Sequence, residues 1–155
     1  MNDALVTRID RMRYTKNTAS SRLALLAIVF DILFFISLYK SDVGTYYYTI
    51  LIGASIIYNL VFLLTTFLCS EGVKNYRTGY SWLMIGLGIV QLVRIFILPA
   101  DAHRTILNEA PVMGNAQFIR VVIYLAASAV CLFSGAAVNL KKSQALAKYT
   151  ASLQA

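Results

Sequence analysis

Residues 23–39 read LALLAIVFDILFFISLY, an apolar run broken only by Asp31 and Ser37. A helix needs about 20 mostly apolar residues to cross a hydrocarbon core. Three further blocks come close to that length or exceed it: Tyr46–Cys69, Tyr80–Leu98 and Phe118–Leu140. Soluble helices do not need four such blocks in 155 residues. The fold class expected is all-α and integral to the membrane. It is an antiparallel bundle of four transmembrane helices with short helical cytoplasmic extensions. The spans and their connections use nearly the whole chain, so residues 1–155 read as a single four-span domain without room for a soluble catalytic module.

Composition points the same way. The chain is 59% hydrophobic and 14% charged, with a mean hydropathy of +0.67. Soluble domains carry about 25% charged residues. The net charge of +7 does not read as a nucleic-acid footprint, because most basic residues flank the spans instead of forming a stripe on a recognition domain. The partners expected are the lipid bilayer and either further copies of the chain or other membrane subunits. Cys69 and Cys131 fall in or at the end of spans, with no Cys-x-x-Cys pair, and read as small buried hydrophobes. With His103 as the only histidine, neither a metal site nor any other cofactor is expected.

Charge sets the expected orientation. Cytoplasmic loops carry an excess of Lys and Arg near span ends. Arg8, Arg11, Arg13, Lys16 and Arg22 precede span one, Lys74 and Arg77 follow span two, and Lys141, Lys142 and Lys148 follow span four. With an even number of spans these ten residues share one side, against Lys40, Arg104 and Arg120 on the other. Both termini are therefore expected in the cytoplasm of a plasma or inner membrane. Tyr39, Tyr46, Tyr47 and Tyr48 cluster at the outer boundary, and Tyr76, Tyr80 and Trp82 at the inner one, where amphipathic rings favour headgroup depth.

The segment 1–22 has Leu5, Ile9 and Met12 at helical spacing with Arg8 and Arg11 between them. It reads as an interfacial helix on the cytoplasmic leaflet or as a solvated tail. No Ala-x-Ala cleavage pattern follows the first apolar run, so that run reads as a retained span, not a signal peptide. Residues 40–45 make a tight outer turn. Residues 70–79 make the inner loop, with Gly72 and Gly79 suited to helix ends. Pro99 stops span three, and one or two helical turns are expected over residues 100–109 before Pro111 and Gly114 break the chain. Residues 141–155 extend the last helix. No internal repeat supports an inverted-repeat transporter.

Polar groups at bilayer depth are costly and face protein or water. Asp31, Asn59 and Ser128 fall near the centres of spans one, two and four, and Gln91 slightly outside the centre of span three. Arg94 lies about 9 Å further out than that centre at 1.5 Å per residue. These five form the candidate intramembrane polar cluster; no catalytic residue is assigned. Stripes of small and polar residues surround them: Ala24, Ala27 and Asp31; Ser55, Asn59 and Thr66; Ser81, Met84, Gly88 and Gln91; Arg120, Tyr124, Ser128, Cys131 and Gly135. Asp31 and Arg94 are the only ionisable residues deep in the spans, and their signs are opposite.

Three functions fit this pattern. The first is a non-enzymatic accessory or scaffold subunit of a membrane complex. The second is an oligomeric small transporter or channel built around the polar cluster. The third is a lipid-active membrane enzyme, for which Asp101, His103, Arg104 and Glu109 in the outer loop are the only further candidates.

Overall fold

The computed structural model describes residues 16–38, 46–107 and 110–154. The described residues are helical almost throughout. The long helices are α1 (Thr18–Leu38), α2 (Tyr46–Lys74), α3 (Thr78–Ile97) and, after the six-residue α4 (Pro99–Arg104), α5 (Asn115–Gln154). Each long helix is apolar and extended enough to cross a membrane. They outrun the apolar blocks because end turns are polar and need not be apolar to be helical. Thus α1 starts at Thr18, five residues ahead of Leu23, and α5 continues through the polar residues after Leu140. Residues 1–15, which hold most of the expected interfacial segment, and residues 39–45, which include the expected turn at 40–45, lie outside the described residues.

Local chemistry explains the ends. Asn17 caps α1, its Oδ1 accepting from the backbone N–H of Ser20 at 3.4 Å. At the end of α2 the N–H of Arg77 reaches Gly72 O and that of Tyr76 reaches Val73 O. This crossed pair of bonds is a Schellman closure, which requires a left-handed residue. Tyr76 supplies it, with φ 58°, and no described glycine has positive φ. The loop expected over residues 70–79 shrinks to residues 75–77: Gly72 lies within α2 and Gly79 within α3, and neither serves as a left-handed cap. Gly72 is needed for space: a Cβ there would clash with the Tyr80 ring. Pro99 takes the first position of α4, where its missing donor costs nothing. Beyond α4, β1 (Ile106–Leu107) pairs antiparallel with β2 (Ala110–Pro111), a two-residue ladder that helical periodicity gave no reason to expect.

The main packing is of α5 against α1 and α3, with α2 laid mostly on α1. Only 22% of the apolar stretch of α2 is buried, against 44% for α5. Close approach uses small residues. The Ser20 hydroxyl donates to Gly135 O at 2.5 Å, a contact that brings α1 onto α5. Gly88 on α3 faces the Phe133 ring, which a Cβ would meet at 2.8 Å. Two buried clusters fill the bundle, one around Ala24, Phe62, Met84 and Leu132, the other around Phe34, Met113, Val121 and Leu125.

Candidate functional site

Two layers of buried polar groups tie the helices together. The middle layer is centred on Asp31, which is 1% exposed. Its Oδ1 accepts from Gln91 Nε2 at 2.9 Å and from Arg94 Nη1 at 3.1 Å. The second N–H of Gln91 points to Ser128 Oγ at 3.3 Å, and that hydroxyl donates to Ala27 O at 3.1 Å. Arg94 Nη2 donates to Ser55 Oγ at 2.8 Å. The guanidinium also lies between two rings, 4.3 Å from the Phe34 centroid and 4.6 Å from that of Tyr58. Cations are attracted to ring faces within about 6 Å. One carboxylate thus joins α1 to α3, and its partners extend the network to α2 and α5.

Helical spacing accounts for this convergence. The buried residues of α3 are Ser81, Met84, Gly88, Gln91 and Arg94, one stripe at three- and four-residue steps. Gln91 and Arg94 are three apart on that stripe and reach the same carboxylate. Of the five residues in the candidate cluster, four enter the network: Asp31, Gln91, Arg94 and Ser128. Asn59 does not. It is 4% exposed, and neither end of its amide has a hydrogen-bond partner. Ser55 replaces it as the α2 member, because the outward position of Arg94 brings the guanidinium to the level one turn before Asn59. Arg120, at the head of the α5 stripe, is exposed.

The second layer was not singled out by the sequence reading. Asn17 Nδ2 donates to Asn139 Oδ1 at 2.9 Å, and Asn139 Nδ2 donates to Ser81 Oγ at 2.8 Å and to Arg77 O at 3.2 Å. Lys142 Nζ reaches Asn17 Oδ1 at 3.2 Å, and the backbone N–H of Asn17 bonds Lys74 O at 3.1 Å. This clamp holds the start of α1, the end of α2, the start of α3 and the middle of α5. The signal was weak: Asn is a preferred capping residue, but Asn17 stands six residues ahead of Leu23, where the apolar run begins.

Two clefts flank α2. A cavity of about 100 Å³ between α1 and α2 is lined by Asp31 and Asn59 among apolar residues such as Phe35, Leu60 and Leu63. One of about 220 Å³ between α2 and α3 has Ser55, Tyr58 and Arg94 among its lining residues. In α4, His103 stacks on Phe118 at 4.5 Å, and its Nδ1 lies 3.1 Å from Met113 O. The His103 ring is thereby engaged in packing, and Glu109 lies outside the described residues. Among the described residues no group of three or more His, Cys, Asp or Glu side chains is placed to hold a metal ion. Comparison with family models, characterised proteins and solved structures returned no match.

Proposed function

We propose that the chain is an integral membrane protein of four antiparallel spans with both termini in the cytoplasm. In this reading it serves as a non-enzymatic accessory or scaffold subunit of a membrane complex. The observation that carries it is the paired middle layer: Asp31 is engaged by Gln91 and Arg94, and Arg94 by Ser55 and two rings. A buried ion pair is a poor source of stability but a good device for fixing register. Its energy is spent inside the bundle, which suits a rigid body that presents apolar faces to neighbouring subunits. The antiparallel arrangement is supported by the bond from Asn17 N–H, at the start of α1, to Lys74 O, at the end of α2. The ten-to-three basic bias supports the orientation.

Purification in mild detergent, with mass determination of what co-purifies, tests the reading. A defined complex with other membrane proteins is the expected result. The second reading, an oligomeric transporter or channel, is favoured by one observation, the unpartnered amide of Asn59 beside the Asp31 cavity. Asp31-dependent ion flux from the purified protein in vesicles would replace the scaffold with that reading.

A further inference from the structure

Six buried side-chain atoms among the described residues have no hydrogen-bond partner: Tyr58 Oη, both ends of the Asn59 amide, Thr66 Oγ1, Ser70 Oγ and Gln91 Oε1. Five of the six are on α2. Such atoms are rare in folded proteins, and those that persist are usually satisfied by ordered water. Four of the six are aligned. Asn59, Thr66 and Ser70 are seven and four residues apart, so they lie within about 40° of one another around a helix of 3.6 residues per turn. The line they form runs about 16 Å along α2, from the middle layer to the clamp end, at 1.5 Å per residue. On the other side of Asn59 the same face continues to Ser55, whose hydroxyl is bonded to Arg94. The line of unpartnered atoms is therefore one-sided.

We infer that water occupies the seam between α1 and α2, entering from the Ser70 end and reaching the Asp31–Asn59 cavity at mid-membrane. The cavity, at about 100 Å³, has room for several water molecules, each of which needs roughly 10–15 Å³ by the same measure; its walls are apolar apart from Asp31 and Asn59, which are the polar partners such water would use. A turn of the Asn59 amide about its last side-chain bond, a broad torsion, presents it to that space. Charge selects water over a cation. Arg94 already balances Asp31 at 3.1 Å, so the site is neutral and an added cation would bring an uncompensated charge into a low-dielectric interior. The consequence is a mid-membrane carboxylate in contact with solvent protons from one end of the bundle.

The inference rests on the membrane-spanning reading. The test uses single cysteines in a Cys69→Ser, Cys131→Ser background that elutes as the wild type does. Asn59→Cys, Thr66→Cys, Ser70→Cys and Leu64→Cys are placed in proteoliposomes and treated with silver ion, a probe close to water in size, in chloride-free buffer. Protection from later alkylation is read by intact mass. Leu64 is 63% exposed on the bundle and faces lipid in this reading. Asn59→Cys, Thr66→Cys and Ser70→Cys should react with silver roughly tenfold faster than Leu64→Cys or more, because the reactive thiolate forms only where water reaches it. If Leu64→Cys reacts slowly with silver and Asn59→Cys or Thr66→Cys reacts equally slowly, the water seam is refuted while the membrane reading stands. If Leu64→Cys reacts as fast as a thiol in the denatured chain, the membrane reading itself fails. Should a cysteine variant not assemble, Thr66→Val in the native chain decides. A dry, unpartnered hydroxyl predicts a higher Tm on its removal, and a hydrated one predicts a lower Tm.

Discussion

Replacing Asp31 with Asn keeps the shape of the side chain and removes its charge. The residue is 1% exposed and accepts from both Gln91 and Arg94 through Oδ1. The neutral amide can still accept from one of them. What it leaves behind is the Arg94 guanidinium, 7% exposed and without a counter-charge. Removing one partner of a buried pair costs roughly 3–5 kcal/mol because it strands the other. Ser55 and the faces of Phe34 and Tyr58 remain to hold the cation, which places the expected loss near ~3 kcal/mol, the lower end of that range. The reverse change, Arg94→Gln, is expected to cost less, about 1–3 kcal/mol, since a stranded carboxylate can take up a proton whereas a guanidinium cannot lose one. For a chain of this length 1 kcal/mol corresponds to about 2–4 °C in Tm. Asp31→Asn should therefore lower Tm by roughly 6–12 °C, with Arg94→Gln losing less. The double variant strands no charge and should recover about 1–3 kcal/mol relative to the sum. Heating in detergent followed by size-exclusion chromatography with fluorescence detection provides the measurement. Strictly additive losses, or an Asp31→Asn protein as stable as wild type, would refute the network as the element that fixes register.

Three further outcomes are expected. Gly72→Ala should destabilise the fold by about 1–3 kcal/mol, because its Cβ would meet the Tyr80 ring, whereas Gly53→Ala, with open space around it, should be neutral or stabilising by up to about 1 kcal/mol; both are read as Tm in detergent. Asn139→Leu strands Asn17 Nδ2 and removes the donor to Ser81, and should cost about 1–3 kcal/mol, with an Asn17→Leu, Asn139→Leu pair losing less than the sum of the two single variants. Cysteine at position 143 should be labelled by an impermeant reagent only from the cytoplasm, and cysteine at position 41 only from outside; the opposite pattern would invert the topology.

The four long apolar helices were legible because hydropathy summed over about 20 residues is insensitive to local detail. The buried face of α3 was legible for a related reason. Ser81, Gly88 and Gln91 stand out against large apolar neighbours at helical steps, and Arg94 continues their stripe. Depth was a weaker guide than azimuth. Asn59 stands near the level of Asp31, yet hydrogen bonding goes to Ser55, because the outward offset of Arg94 chooses the α2 residue one turn earlier. The clamp was hidden by sequence distance. Asn17 and Asn139 are 122 residues apart; Asn17 lies in the polar stretch ahead of the first apolar block and Asn139 at the end of the last, so neither breaks a pattern. The left-handed cap at Tyr76 was masked by Gly72 and Gly79, which are better suited to that conformation but lie four residues before and three after it.

The two polar layers treat α2 differently from the other helices. In the clamp, α1, α3 and α5 contribute the side chains of Asn17, Ser81 and Asn139, while α2 contributes the backbone carbonyl of Lys74. In the middle layer its contributions are the hydroxyl of Ser55 and the face of the Tyr58 ring. Its other inward polar groups at Asn59, Thr66 and Ser70 are unpartnered, and a cleft lies on each of its sides. If those groups were only packing, apolar residues of the same size would hold α2 better, since an unpartnered buried polar group is more costly than an apolar one. Their presence on one line therefore calls for an occupant. The scaffold and transport readings differ in what that occupant does: water that merely satisfies the groups leaves the bundle rigid, whereas water that exchanges protons with Asp31 makes α2 the wall of a pathway. Substitutions along α2, more than at the ion pair itself, are the ones that separate the two.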